Sequence, residues 1–405
     1  MLKNIVEKCL KKCYNIAKII NTEGIMKKFI SLVMCLSLVL ALVACGQNQT
    51  SSTSAEPAAE AEAPQASGES FELALVTDLG TIDDKSFNQG AWEGLVKYAQ
   101  QNGKTYKYYQ PQEAGTNAYF ETIELAIEGG AKLVVCPGYL FEEPVYLAQQ
   151  SYPDIHFVLL DGEPHNADYS DYVTGTNTMP ILYQEDQAGF LAGYAAVKDG
   201  NTKLGFMGGM AVPAVIRFGL GYVQGIDVAA KELGVDCEVV YNYTGQFAAT
   251  PEAQSMAASW YNAGTQVVFG CGGAVGNSVM SAAEGKNQQE GSFVAKVIGV
   301  DVDQYSESDT VITSAMKMLA NSVYDAISWY YDGTFKGGQT TVFNVQNDGV
   351  GAAMDHAKFD TFTKADYDEV YNRLKNGEWD LMNNTDNADP STALTLSNTK
   401  VTYIQ

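Results

Sequence analysis

From Glu72 to about Trp329, apolar runs of strand length alternate with stretches of helical periodicity, and this alternation limits the fold more than any other feature. The runs are Glu72–Val76, Lys132–Cys136, His156–Leu160, Lys203–Met207, Cys237–Tyr241, Gln266–Gly270 and Ala295–Val300. Helical stretches separate them, among them 118–131, 187–197, 251–264 and 314–331, and several close at or near a glycine, as helix ends do. Repeated βα units call for parallel sheets with helices on both faces. The pattern restarts near Tyr172–Asn177. The expected fold is therefore α/β, with two doubly wound parallel-sheet lobes joined by a hinge. The first lobe should take residues 70–180 and a returning segment at about 309–345. The second should take 182–305 plus the C-terminal tail, with hinge segments near Thr176 and Asp301.

Sheets of this kind bind ligands outside the carboxyl ends of their strands. The first run ends just before Asp78; a glycine turn follows, and Ser86-Phe87-Asn88 opens an amphipathic helix with Ala91, Leu95 and Ala99 on one face. A carboxylate, an aromatic ring and an amide thus converge where a small, flat, polar ligand could be held. Asp161 follows the strand HFVLL, Asp301 follows VIGV, and Gly272-Gly273 follow VVFGC, all at strand ends. Lys317 falls in what reads as an apolar helix start beside Met316, Met318 and Leu319, a costly place for a charge without a partner.

The chain ahead of this region reads as an address. Met26-Lys27-Lys28 leads into the apolar run 29–44, close in length to a secretory h-region and short for a flanked membrane span. It ends Leu42-Val43-Ala44-Cys45-Gly46, which resembles a lipoprotein cleavage site with Cys45 as lipid acceptor. Residues 1–45 are read as the signal region, with Met26 as the start of translation. Residues 46–69 hold Ser, Thr, Ala, Pro, Gln and Glu with scarcely a large apolar residue, so a disordered tether is expected there.

Of 25 basic and 48 acidic residues, seven lysines and two glutamates precede Cys45, which leaves 18 and 46 and a net charge of −28 on the mature chain. Such a chain repels polynucleotides, and phosphorylated ligands are disfavoured. Past Cys45 only Cys136, Cys237 and Cys271 remain, with no metal-site spacing; they read as buried free thiols. No phosphate-binding GK[ST] loop, HExxH or nucleophile elbow occurs, and His156, His165 and His356 are scattered. GLGYVQG (Gly219–Gly225) is one residue off a dinucleotide fingerprint but lies in a helix-like stretch. The expectation is a binding protein, not an enzyme, with neither cofactor nor metal.

Several segments in fixed order resemble the basic membrane protein family of bacterial lipoproteins, which capture nucleosides for ABC transporters. They are Val76–Leu95, Tyr152–Gly162, Gln187–Ala196, Leu204–Ile226, Phe269–Val279 and Val297–Gln304. The likeness runs from Glu72 to Ala326; no fragment after Gly333 shares it. By fold-level analogy it implies the type I periplasmic-binding-protein fold. It implies a purine nucleoside ligand (guanosine, inosine or adenosine) and an ABC permease in the cytoplasmic membrane as partner. It further implies a lipid-anchored, monomeric protein on the extracytoplasmic face. Phe87 would stack on the base, with Phe247 opposite it and Tyr243 or Phe218 as alternatives there. Asn88 and Asp161 would read the base edge. Asp301, Lys317 and Gly273 would hold the ribose, with Asp78 orienting Lys317 or a hydroxyl. Helix capping remains open for Asn88 and Asp161, and a simple turn for the glycines. Simple-sugar binding, or a signalling or adhesion role, also remains open.

Overall fold

The computed structural model describes residues 70–404. The expectations for the signal region, for Cys45 and for the tether lie outside the described residues. Leu73–Val76 forms β1, with all four side chains buried. Helix α1 (Phe87–Asn102) follows and stops at Gly103, whose φ of 62° suits a helix end best met by glycine. The Asp84 carboxylate starts α1 by accepting from the backbone N–H groups of Ser86, Asn88 and Gln89 at 2.9 to 3.0 Å. The first lobe continues through β2 (Tyr106–Tyr109), α2 (Thr116–Glu128), β3 (Leu133–Pro137), α3 (Glu142–Ser151), β4 (His156–Leu160) and β5 (Thr178–Tyr183).

The chain then crosses into α4 (Glu185–Lys198) and the second lobe. There follow β6 (Lys203–Gly208), α5 (Pro213–Leu233), β7 (Cys237–Tyr243), α6 (Pro251–Asn262), β8 (Val267–Cys271), α7 (Val275–Glu290), β9 (Lys296–Asp301) and β10 (Val311–Lys317). Helix α8 (Leu319–Tyr331) returns to pack on α1, and β11 (Thr341–Phe343) extends the first sheet. The last segment supplies β12 (Val350–Ala352), α9 (Lys364–Lys375), α10 (Pro390–Ala393) and β13 (Thr399–Tyr403).

The first sheet has the order β2-β1-β3-β4-β5-β11 and every pairing is parallel. The second runs β13-β7-β6-β8-β9-β10-β12, parallel except where β12 meets β10. Strand order reverses at β1/β3 in one sheet and at β6/β8 in the other, the points where doubly wound sheets open a crevice at their carboxyl edge. Two expectations need correction. The return to the first lobe does not begin at 309, because Val311–Lys317 is a strand of the second sheet; it begins with α8 at Leu319. The crossings lie not at Thr176 and Asp301, which sit beside or within their own sheets, but at Gln184, at Met318 and between Phe343 and Val350.

Helix α4 is buried on all sides from Glu185 to Val197 and packs along α5. Its glycines make the close approach possible. A Cβ on Gly189 or Gly193 would fall on the carbonyl oxygens of Phe218 or Tyr222, and one on Gly221 or Gly225 on those of Asp186 or Phe190. Gly221 and Gly225 of GLGYVQG therefore belong to a helix–helix seam, whereas Gly219 faces Tyr241 of β7. The tail is fixed to the second lobe through Asp199, which accepts from the N–H groups of Thr361 (2.7 Å) and Phe362 (3.2 Å) and meets Lys296 at 3.4 Å. Cys136, Cys237 and Cys271 are buried free thiols, as expected.

Candidate functional site

A cleft of about 750 Å³ lies between the carboxyl edges of the two sheets. Every residue expected at the ligand lines it: Asp78, Phe87, Asn88 and Asp161 from the first lobe; Phe247, Gly273, Asp301 and Lys317 from the second. Asp161 directly follows β4 and Asp301 is the last residue of β9. Both hold left-handed backbone, with φ of 58° and 67°, a conformation that aspartate accepts better than most side chains. Strain of that kind, once in each lobe at facing strand ends, turns the two carboxylates toward one point.

That point is Lys317. It is the last residue of β10, not part of a helix start, and it is 3% exposed. Its Nζ lies 2.6 Å from Asp161 Oδ2, 3.4 Å from Asp301 Oδ1 and 3.9 Å from Glu185 Oε1. Burial works against its charge, but Asp161, Asp301 and Glu185 outweigh burial and hold the ammonium above the ordinary lysine range. Arg217 Nε meets the other Glu185 oxygen at 2.5 Å. Burial pushes the Asp301 carboxyl up, while Lys317 and the Ser86 hydroxyl, donating at 2.5 Å, hold it back. The Lys317 Nζ also stands 4.3 Å from the centre of the Phe87 ring and 5.6 Å from that of Phe218.

Of the two roles expected of Asp78, orienting Lys317 or a ligand hydroxyl, the first is not seen: Lys317 is met by Asp161, Asp301 and Glu185. Asp78 Oδ1 accepts from the Gly80 N–H (2.8 Å) and the Asn88 side-chain amide (3.0 Å), so it orients Asn88 instead. The opposite face of that amide, Asn88 Oδ1, is buried without a partner among the described residues, as are Asp161 Oδ1 and Asn277 Oδ1. All three residues line the cleft and offer acceptors to a donor there. Gly272 and Gly273 carry φ of 111° and 52°, and a Cβ on either would strike Phe247. They seat that ring at the cleft wall. Of the two alternatives to Phe247, Tyr243 is turned away to Tyr241 and the Ala388 carbonyl, whereas Phe218 does line the cleft.

Glu185, Arg217, Ser86 and Asn277 were not anticipated. An acidic residue at a helix start reads as a cap, which hid Glu185. Arg217 left a signal, being one of only two arginines and set in an apolar helix.

Two doubly wound sheets facing each other across such a cleft are the type I periplasmic-binding fold. A solved ABC transporter solute-binding protein from Aeropyrum pernix superposes with a TM-score of 0.68 over 78% of this chain and 94% of its own, at 21% identity. The chain belongs to the Bmp family of PnrA-like ABC transporter substrate-binding proteins, whose family model matches residues 71–378. It is 31% identical to the ABC transporter nucleoside-binding protein BmpA of Lactococcus lactis, over 82% of this chain and 93% of that protein. It is 29% identical to an uncharacterized lipoprotein of Pyrococcus horikoshii, over 70% of this chain and 69% of that one.

Proposed function

We propose that this ABC transporter substrate-binding protein captures a purine nucleoside (guanosine, inosine or adenosine) between its lobes and delivers it unchanged to a permease in the cytoplasmic membrane. The observation that carries the reading is the division of the cleft into an aromatic part and a charged, hydrogen-bonding part. Phe87 and Phe247 suit the two faces of a base, at roughly 1–3 kcal/mol per stacked base. Asn88 and Asp161 hold acceptors for ring N–H or amino groups of its edge. Asp301, Lys317 and the close backbone of Gly273 suit ribose hydroxyls. Charge favours an uncharged ligand: Asp78, Asp83, Asp84, Asp161 and Asp301 line the cleft, and Lys317 is the one cation among the described residues that do. A phosphate group would meet excess negative charge. The nucleoside-binding BmpA relative supports the same ligand class.

The sequence before residue 70 supports export, lipid attachment at Cys45 and a tether long enough to reach a membrane partner. The protein works in this reading as a monomer outside the cytoplasmic membrane.

Calorimetry with inosine, 2′-deoxyinosine, hypoxanthine and ribose tests the proposal. Hydrogen bonds to charged groups contribute about 1.5–3 kcal/mol each, so hypoxanthine is expected to bind at least about ten-fold more weakly than inosine. 2′-Deoxyinosine should fall between them, and ribose should bind poorly because it leaves the rings unpaired. Ribose binding as tightly as inosine would make this a sugar receptor.

A further inference from the structure

Behind Lys317, away from the cleft, one buried side chain ties the two lobes together. Gln304 lies in the loop after β9 and is 1% exposed. Its Oε1 accepts from the Val300 N–H at 2.9 Å and its own N–H donates to Ser314 Oγ at 3.0 Å, both within the second lobe. Its Nε2 donates to the Lys85 carbonyl at 2.7 Å, in the first lobe. The sequence makes room for this arm. A Cβ on Gly299, in the middle of β9, would come within 2.6 Å of Gln304 Oε1 and 2.5 Å of Ser314 Oγ.

The acceptor is well chosen. Lys85 has left-handed backbone (φ 60°) in the turn that opens α1, directly before Ser86, Phe87 and Asn88. Its own N–H is held by Gln89 Oε1 at 3.2 Å. The adjacent Ser86 hydroxyl reaches Asp301, three residues before Gln304. The turn presenting the aromatic and amide groups of the first lobe is thus fastened at two successive residues to the strand end presenting the carboxylate of the second.

We propose that Gln304 is a positioning residue that couples lobe closure to assembly of the site: its amide fixes the Lys85 turn, and with it Phe87 and Asn88, only when the lobes are shut. The ligand readout rests on the nucleoside reading above; the fastening itself does not.

The two ends of the amide separate the roles. Gln304→Glu keeps an acceptor for the Val300 N–H but sets an oxygen against the Lys85 carbonyl. The unliganded protein should melt below wild type, because the new carboxyl is buried, so the lobe distances rather than the melt carry the test. Inosine should bind about ten-fold more weakly or worse, since a buried acceptor has lost its donor. Spin labels at Gln150→Cys and Glu252→Cys, exposed positions in the two lobes, should report longer distances than wild type even without ligand. Gln304→Met, which matches the shape and removes both bonds, gives the same distance readout if the glutamate variant does not fold. Wild-type distances and inosine affinity within two-fold would overturn the proposal. So would a large loss of melting temperature with unchanged distances, which would mark a purely local role. Should wild type bind none of the nucleosides, the functional reading fails, and the ligand-free distances still decide the role of Gln304.

Discussion

The Lys317 ammonium is the side chain on which most of the cleft's charge depends. Three carboxylates lie within 3.9 Å of it, one from each of β4's exit, β9 and the start of α4. Removing one partner of a buried ion pair costs about 3–5 kcal/mol, because the remaining charge stays buried and uncompensated. Lys317→Met should therefore lower the unfolding free energy by about that amount in urea titrations, besides abolishing inosine binding; a loss below about 1 kcal/mol would mean that the carboxylates take up protons instead. This site was largely legible from strand ends alone, since Asp78, Asp161, Gly273 and Asp301 follow apolar runs. What could not be read was pairing. That Asp161 serves Lys317 depends on which strand ends face each other across the lobes, and no spacing along the chain encodes that; the Asp78–Asn88 bond is local to the first lobe but depends on how the turn before α1 folds back.

Among the elements, the seam between α4 and α5 gives the sharpest expectation. Alanine normally stabilises a helix interior over glycine, by up to about 1 kcal/mol. At Gly221 the added methyl would fall on the Asp186 carbonyl and force the helices apart, so Gly221→Ala should cost about 1–3 kcal/mol in thermal melts. Gly285, exposed on α7 with nothing near its missing Cβ, is the control, and Gly285→Ala should be neutral or stabilising. Equal effects at the two positions would refute the seam. The alternating strands and helices were plain in the sequence, but several elements were not. β2 is a half-exposed edge strand of tyrosines and lysine, without an apolar run. β5 contains Pro180, a residue that argues against a strand because it removes a ladder hydrogen bond. β10 runs into α8 through Ser314-Ala315-Met316, residues equally at home in a helix, so its final lysine was read one element late.

At the scale of the whole molecule, stability should depend on pH through carboxyls that burial holds protonated. Burial raises Asp186 to about 7, with Glu185 adding to it, and raises Asp84 to about 6 against its three backbone hydrogen bonds. Both lie above the ordinary value of 3.8, so the folded state keeps protons that the unfolded chain has released. Their stabilisation is complete below the unfolded pKa and is lost as the pH rises through about 6 to 7. Asp366, held below the usual range by the Thr363 hydroxyl, acts oppositely and only at lower pH. Melting temperature should thus fall between pH 5 and 8, and Asp186→Asn should flatten that slope; an unchanged slope in the variant would reject the assignment. The three crossings between the lobes carry one more consequence. No continuous piece of the chain owns a complete lobe: the first sheet needs β11 and α1 needs α8, both more than 130 residues downstream of β5. A chain that leaves the cell amino end first cannot seal its first core until residues past Phe343 have followed. For a chain exported as proposed above, the interleaving would delay premature folding and so keep the emerging polypeptide threadable through a translocation pore.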